Sequence, residues 1–229
     1  MIKKTIESKY LSGIDEAGRG CVLGPMVMGL CVISKDKESF FREQGVKDSK
    51  LLSPKKREEL FDIIKREVDE YKLLVVPAEE LNVLMDRYSL NEIEAQKEAE
   101  MISKLKTDIF EIIVDSPDTV ADKFKRRIDD CLRVNGYEKK IKIISEHKAD
   151  LNHIVVGCAS ILAKVTRDRL LEELIGKNIS GYSSDQRTIE YLKSYILEHK
   201  QIPPFARSKW ETIDKVMKEL YQKKIGWFK

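Results

Sequence analysis

The sequence predicts an α/β protein: a strand-bearing core followed by a helical C-terminal region. Two observations carry this prediction. Short apolar runs alternate with helical patterns as far as about residue 147, and the remaining chain is almost wholly helical in its spacing. At 229 residues, 42% of them apolar, the chain suffices for one substantial core or for a core with a smaller appendage.

Five runs read as strands: Tyr10 to Asp15, Met26 to Ser34, Tyr71 to Val76, Ile109 to Asp115 and Ile141 to Ser145. Ser53-Pro54, a cap followed by proline at the first helical position, opens a helix towards Glu70. Ser89 with Glu92 fits a capping box for a helix reaching Leu105. Further helices are expected over Thr119 to Val134, Ala159 to Ile175 (stopped by Gly176), Asp185 to His199 and Lys209 to Lys224, the last with Ser208 and Glu211 as a second capping box. The expected division is a strand-bearing core over residues 1–180 and a helical region over 181–229, packed on or beside it.

Charge is nearly balanced, with 42 Lys and Arg against 39 Asp and Glu, so the net +3 says little about partners. Its distribution is uneven: His199 to Lys229 carries eight basic and three acidic residues. Arg207, Lys209 and Trp210 there read either as a nucleic-acid surface or as a solvated helix face with a packed indole. No apolar run reaches the ~18 residues of a membrane span, and the N-terminus lacks a signal-peptide stretch, so a cytoplasmic location is expected. Cys21, Cys31, Cys131 and Cys158 are widely spaced and read as reduced and mostly packed. With only three histidines, a bound metal would be held by oxygen, which points to magnesium or manganese.

The chemistry concentrates in Gly13-Ile14-Asp15-Glu16-Ala17-Gly18-Arg19-Gly20. The glycines nearly match a dinucleotide fingerprint, but that needs a helix next, and Pro25 with the run from Met26 signals a strand. Two carboxylates before the turn would also repel phosphate unless a cation lay between them. A solvated acidic turn is the bland reading. Against it, Asp15 and Asp115 both end apolar strands, where ligands gather in open α/β sheets. Asp150 follows the strand Ile141 to Ser145, just before a helix, as either cap or ligand. Because strand side chains alternate faces, Asp15 and Glu16 converge only if the strand ends or distorts there.

The run from Gly13 to Gly20, then Gly24-Pro25, Asp48-Ser49-Lys50, Asp115, Glu146-His147-Lys148-Ala149-Asp150, Ala159 to Val165 and Gly181-Tyr182 resembles the ribonuclease HII family, in spacing most like its archaeal form. The match runs in order over residues 10 to 210. The resemblance implies a ribonuclease H-like fold, with a central mixed sheet flanked by helices. It matches Asp15, Glu16, Asp115 and Asp150 to the family's metal-binding catalytic acids. It implies an endonuclease cutting RNA in RNA–DNA hybrids and ribonucleotides in duplex DNA, leaving 5′-phosphate and 3′-hydroxyl ends. By the same resemblance Gly18, Arg19 and Gly20 meet the ribose 2′-hydroxyl, Tyr182 packs on the adjoining deoxyribose, and Asp48, Ser49, Lys50 and Lys148 lie near the substrate backbone.

Four clustered carboxylates suit hydrolysis with two Mg2+ or Mn2+ ions, one activating water and the other neutralising the leaving oxygen. His147, the only histidine beside a candidate ligand, reads more readily as structural than catalytic. By the same resemblance, Cys21 replaces a proline, Gly157-Cys158 a serine-alanine, and Ser183 and Gln186 two prolines, the last pair predicting a less rigid loop around Tyr182. A monomer is expected, and Gly226-Trp227-Phe228-Lys229 is either a packed end or a docking tail for a sliding-clamp partner. The competing readings are a junction-resolvase type of nuclease and a non-catalytic hybrid-binding protein.

Overall fold

The structure is a computed structural model that describes residues 9–46, 52–176 and 178–225. A mixed five-stranded sheet forms its centre, in the order β3-β2-β1-β4-β5. The strands are β1 (Tyr10–Ala17), β2 (Met26–Ser34), β3 (Glu70–Val76), β4 (Glu111–Asp115) and β5 (Lys142–Glu146). All five expected strands form. β2 is buried at every position, as its unbroken apolar run demands of a strand covered on both faces. β1, β4 and β5 are parallel, with Gly13 level with Ile113 and Ile14 with Val114.

The helices are α1 (Glu38–Glu43), α2 (Pro54–Glu67), α3 (Ala78–Leu84), α4 (Leu90–Ser103), α5 (Ala121–Val134), α6 (Ala149–Asn152), α7 (Ile154–Ile175), α8 (Gln186–His199) and α9 (Glu211–Ile225). Local chemistry starts several of them. Ser53 accepts from the Lys56 amide ahead of Pro54, Ser89 and Glu92 form the reciprocal capping box, and Asp185 accepts from the Arg187 amide. None of the described helices is long and apolar enough to cross a membrane.

Three expectations need correction. α7 begins at Ile154, five residues before Ala159, because the apolar residues Val155 and Val156 continue its buried face. α9 begins at Glu211, so Ser208 lies too far back to cap it; its amide instead donates to Asn82 Oδ1. The strand β1 does not end at Asp15 but runs on to Ala17.

By compactness the chain divides into two units that do not follow chain order. One comprises Met1–Ala17, Met28–Leu74 and Ser89–Val165; the other comprises Gly18–Val27, Val75–Tyr88 and Thr166–Lys229. The first is centred on an apolar cluster that includes Cys31, Ile33, Phe41, Leu60, Val156 and Ile161. Gly13 lets α7 approach β1 there: a Cβ at this position would lie 2.7 Å from Val156 Cγ2 and 2.9 Å from its nitrogen. The second unit is built on Val22, Leu23, Leu171, Leu192, Ile196 and Ile213 among others.

Candidate active site

The β1–β4 register brings the acids together. With Ile14 level with Val114, Asp15 and Asp115 are the next positions on parallel neighbours, and side chains level with one another share a face. Asp15, Glu16 and Asp115 each offer a carboxylate oxygen within 4.8 Å of the others. No break in the strand is needed: Asp15 Oδ1 bends along the backbone to accept the Glu16 amide at 2.8 Å. Asp115 Oδ1 accepts the Ala149 amide at 2.7 Å, so the chain leaving β5 is tied to the end of β4. Lys148 makes this return by adopting the left-handed region, φ 58°, uncommon for a side-chain-bearing residue.

Asp150 lies buried in the first turn of α6, outside the tight trio but near enough to act on Asp15 electrostatically. Asp15 is only 6% exposed. Burial pushes its carboxyl well above the ordinary 3.8, Glu16 adds to the rise, a hydrogen bond with Ser160 opposes it, and Asp115 and Asp150 raise it further. This strain is what an oxygen-seeking divalent cation relieves, and the all-carboxylate donor set fits one.

Glu98 acts electrostatically on this cluster with Glu94 beside it, and the sequence reading missed both. Glu98 is 2% exposed, its Oε2 has no hydrogen-bond partner among the described residues, and burial, Glu16 and Glu94 raise its carboxyl. Glu94, also buried, lies one helical turn earlier on α4. The available signal was their i, i+4 spacing interleaved with Ile93, Ala95 and Ala99, which sets them on a core-facing side. His147 is exposed, and its Nδ1 lies 3.4 Å from the Ser116 carbonyl. Lys148 is exposed in the same unit, whereas Asp48, Ser49 and Lys50 lie outside the described residues, as does the tail 226–229.

The second unit gathers the other expected contacts. Gly18 takes φ 82°, and a Cβ there would lie 2.8 Å from the Pro25 carbonyl oxygen, so both conformation and space require glycine. The turn Gly18-Arg19-Gly20 closes with the Cys21 amide donating to Gly18 O at 3.2 Å. A Cβ on Gly20 would lie 3.6 Å from the Tyr182 ring, and Arg167 stacks over that ring at 5.4 Å. Burial, with Cys21 nearby, pushes the Tyr182 phenol up to about 12, so it stays neutral.

The loop around Tyr182, expected to be less rigid with Ser183 and Gln186 in place of proline, is braced by hydrogen bonds. Asp185 accepts the Ser180 amide at 2.9 Å, its own amide donates to Tyr182 O, and the Gly181 amide donates to Thr188 Oγ1.

Arg207 corrects the reading of the basic C-terminal surface. It is 0% exposed and donates to the backbone carbonyls of Gly18, Arg19 and Gly24, so it is unavailable to a phosphate backbone. Lys209 is paired with Asp86, and Trp210 packs on the second core. The four cysteines are free thiols, and all but Cys131 are buried.

With this geometry the relatives agree. The family model for Ribonuclease HII matches residues 12–213. Ribonuclease HII of Thermococcus sibiricus is 41% identical over 217 residues, covering 93% of this chain and 94% of that protein. The crystal structure of ribonuclease H2 from Pyrococcus horikoshii OT3 superposes with a TM-score of 0.82 at 39% identity, covering 92% of this chain and 98% of that one. The ribonuclease of the PCNA:RNase HII complex from Archaeoglobus fulgidus gives 0.76 at 39% identity, covering 87% and 94%. Matched along nearly its whole length in sequence and in fold, the chain belongs to the ribonuclease HII family.

Proposed function

We propose that this chain is an endonuclease that hydrolyses the RNA strand of RNA–DNA hybrids and ribonucleotides embedded in duplex DNA, leaving 5′-phosphate and 3′-hydroxyl ends. The observation that carries this reading is the convergence of Asp15, Glu16 and Asp115 in a chain of this family.

Asp15, Glu16 and Asp115, with the neighbouring buried Asp150, would hold the divalent ions, Mg2+ or Mn2+. When bound, a pair of such ions would supply an activated water and would neutralise the leaving 3′-oxygen. The chain's own part is to fix the donors: the β1–β4 register sets Asp15 beside Asp115, and the Ala149 amide holds the Asp115 carboxylate in one orientation. Burial of Asp15 keeps competing water away from its oxygens.

Gly18, Arg19 and Gly20 recognise the 2′-hydroxyl, which is then a handle and not the nucleophile. Tyr182, whose ring lies beside Gly20, packs on the neighbouring deoxyribose. Asp48, Ser49, Lys50 and Lys148 attend the substrate backbone. The protein works as a monomer, and a sliding clamp is its proposed partner, a reading supported by the Archaeoglobus fulgidus complex.

The test is cleavage mapping on a labelled duplex carrying one ribonucleotide, with magnesium and manganese compared. A cut at the ribonucleotide leaving a 5′-phosphate is expected; an intact duplex with both metals, or cutting of ordinary DNA, would refute the proposal.

A further inference from the structure

A buried guanidinium is costly to maintain, and this one donates to three carbonyls of a single loop. Arg207 Nη2 donates to Gly18 O at 2.6 Å, Nη1 to Arg19 O at 2.7 Å and Nε to Gly24 O at 3.1 Å, so one side chain spans the connection between β1 and β2 from end to end. The segment that carries it is itself fixed. Its amide donates to Val22 O at 2.9 Å, and the Gly24 amide donates to Phe205 O at 2.8 Å. Asn82 clasps both flanks, donating to Ala206 O and accepting the Ser208 amide. The Trp210 ring lies under the guanidinium at 4.9 Å.

The consequence lies on the opposite side of the turn. In a trans peptide the C=O and N–H point in opposite directions. Arg207 draws the carbonyls of Gly18 and Arg19 to itself, so the amides of the following residues, Arg19 and Gly20, are turned away from it together. Two consecutive amides aimed to one side form a donor pair for a small oxygen ligand.

We infer that Arg207 is a positioning residue for ribose discrimination, holding the Gly18-Arg19-Gly20 peptide planes so that two amides face the 2′-hydroxyl. This rests on the role proposed above for that turn. The planar fork of arginine reaches these carbonyls from three separate nitrogens; lysine keeps the charge but donates from a single one.

The test uses the active enzyme with magnesium. KM is measured on a duplex carrying one ribonucleotide, and Ki for the same duplex made entirely of DNA. In Arg207→Lys, the ratio of Ki to KM is expected to fall about tenfold, through KM, while Ki stays within about twofold of the wild-type value. Lost folding alone would lower the active fraction and leave both constants in place. Asn82→Ala, which loosens the segment without emptying the buried site, is expected to lower the ratio in the same direction by about threefold, and it decides the matter if Arg207→Lys does not fold. A ratio unchanged in the folded variant overturns the inference. A wild-type enzyme that leaves the ribonucleotide duplex uncut overturns the functional reading instead, before any variant is made.

Discussion

Asp15 has its carboxyl out of water, with three other acids acting on it. Such a residue is placed at the expense of the metal-free fold, so Asp15→Asn should raise the melting temperature of metal-free protein while abolishing turnover, with differential scanning fluorimetry as the check. Asp115→Asn should lower kcat by at least about a hundredfold, since a metal-centred site contributes several kcal/mol to the transition state. Single-turnover cleavage measures that loss. At this scale the sequence was readable where an acid ended an apolar run, as at Asp15 and Asp115. It misled where charge met burial. Glu98 has the composition of a solvated helix face, and Arg207 sits in a basic stretch, yet both are buried. The partners that justify burying Arg207 lie more than 180 residues away in the chain, beyond the reach of any local pattern.

Elements were legible where period and punctuation agreed. The β2 run, the proline start of α2 and the capping box of α4 each identified themselves. The continuation of β1 past Asp15 was not legible, because the bend of one carboxylate onto the next amide leaves no mark in a residue pattern. A tie at the start of β3 shows how an element is secured at its end. Glu70 accepts the amides of Lys106 and Thr107 and pairs with Lys72 at 3.1 Å. Partial burial alone would raise this carboxyl, but the hydrogen bonds outweigh it and bring it from 4.5 to about 2. A depressed carboxyl stabilises the fold above its unfolded pKa and ceases to do so as pH falls through the folded one. Glu70→Gln should therefore cost about 3 kcal/mol at neutral pH, and the difference should vanish towards pH 2 in urea titrations.

For the whole molecule the acid cluster acts in the opposite sense. A carboxyl raised in the folded state, as Asp15 is, binds protons more tightly folded than unfolded. Stability is then undiminished below the unfolded value of 3.8 and falls as pH rises through the folded pKa. Metal-free protein should lose stability over that range, and magnesium or manganese should restore it. At 100 times the dissociation constant the gain is about 2.7 kcal/mol, or roughly 5–10 °C in melting temperature, read by scanning fluorimetry with and without chelator. The division into compact units was the least legible feature, since each is assembled from three stretches of chain and no composition boundary marks them.

Gly18 and the residue that grips its carbonyl stand 189 positions apart. On the ribosome this separation becomes an order of events. Asp15, Glu16, Asp115 and Asp150 have all been synthesised by residue 150, but the turn after β1 waits for Arg207. A nascent chain thus carries all four acids well before it carries the residue that grips the glycine turn.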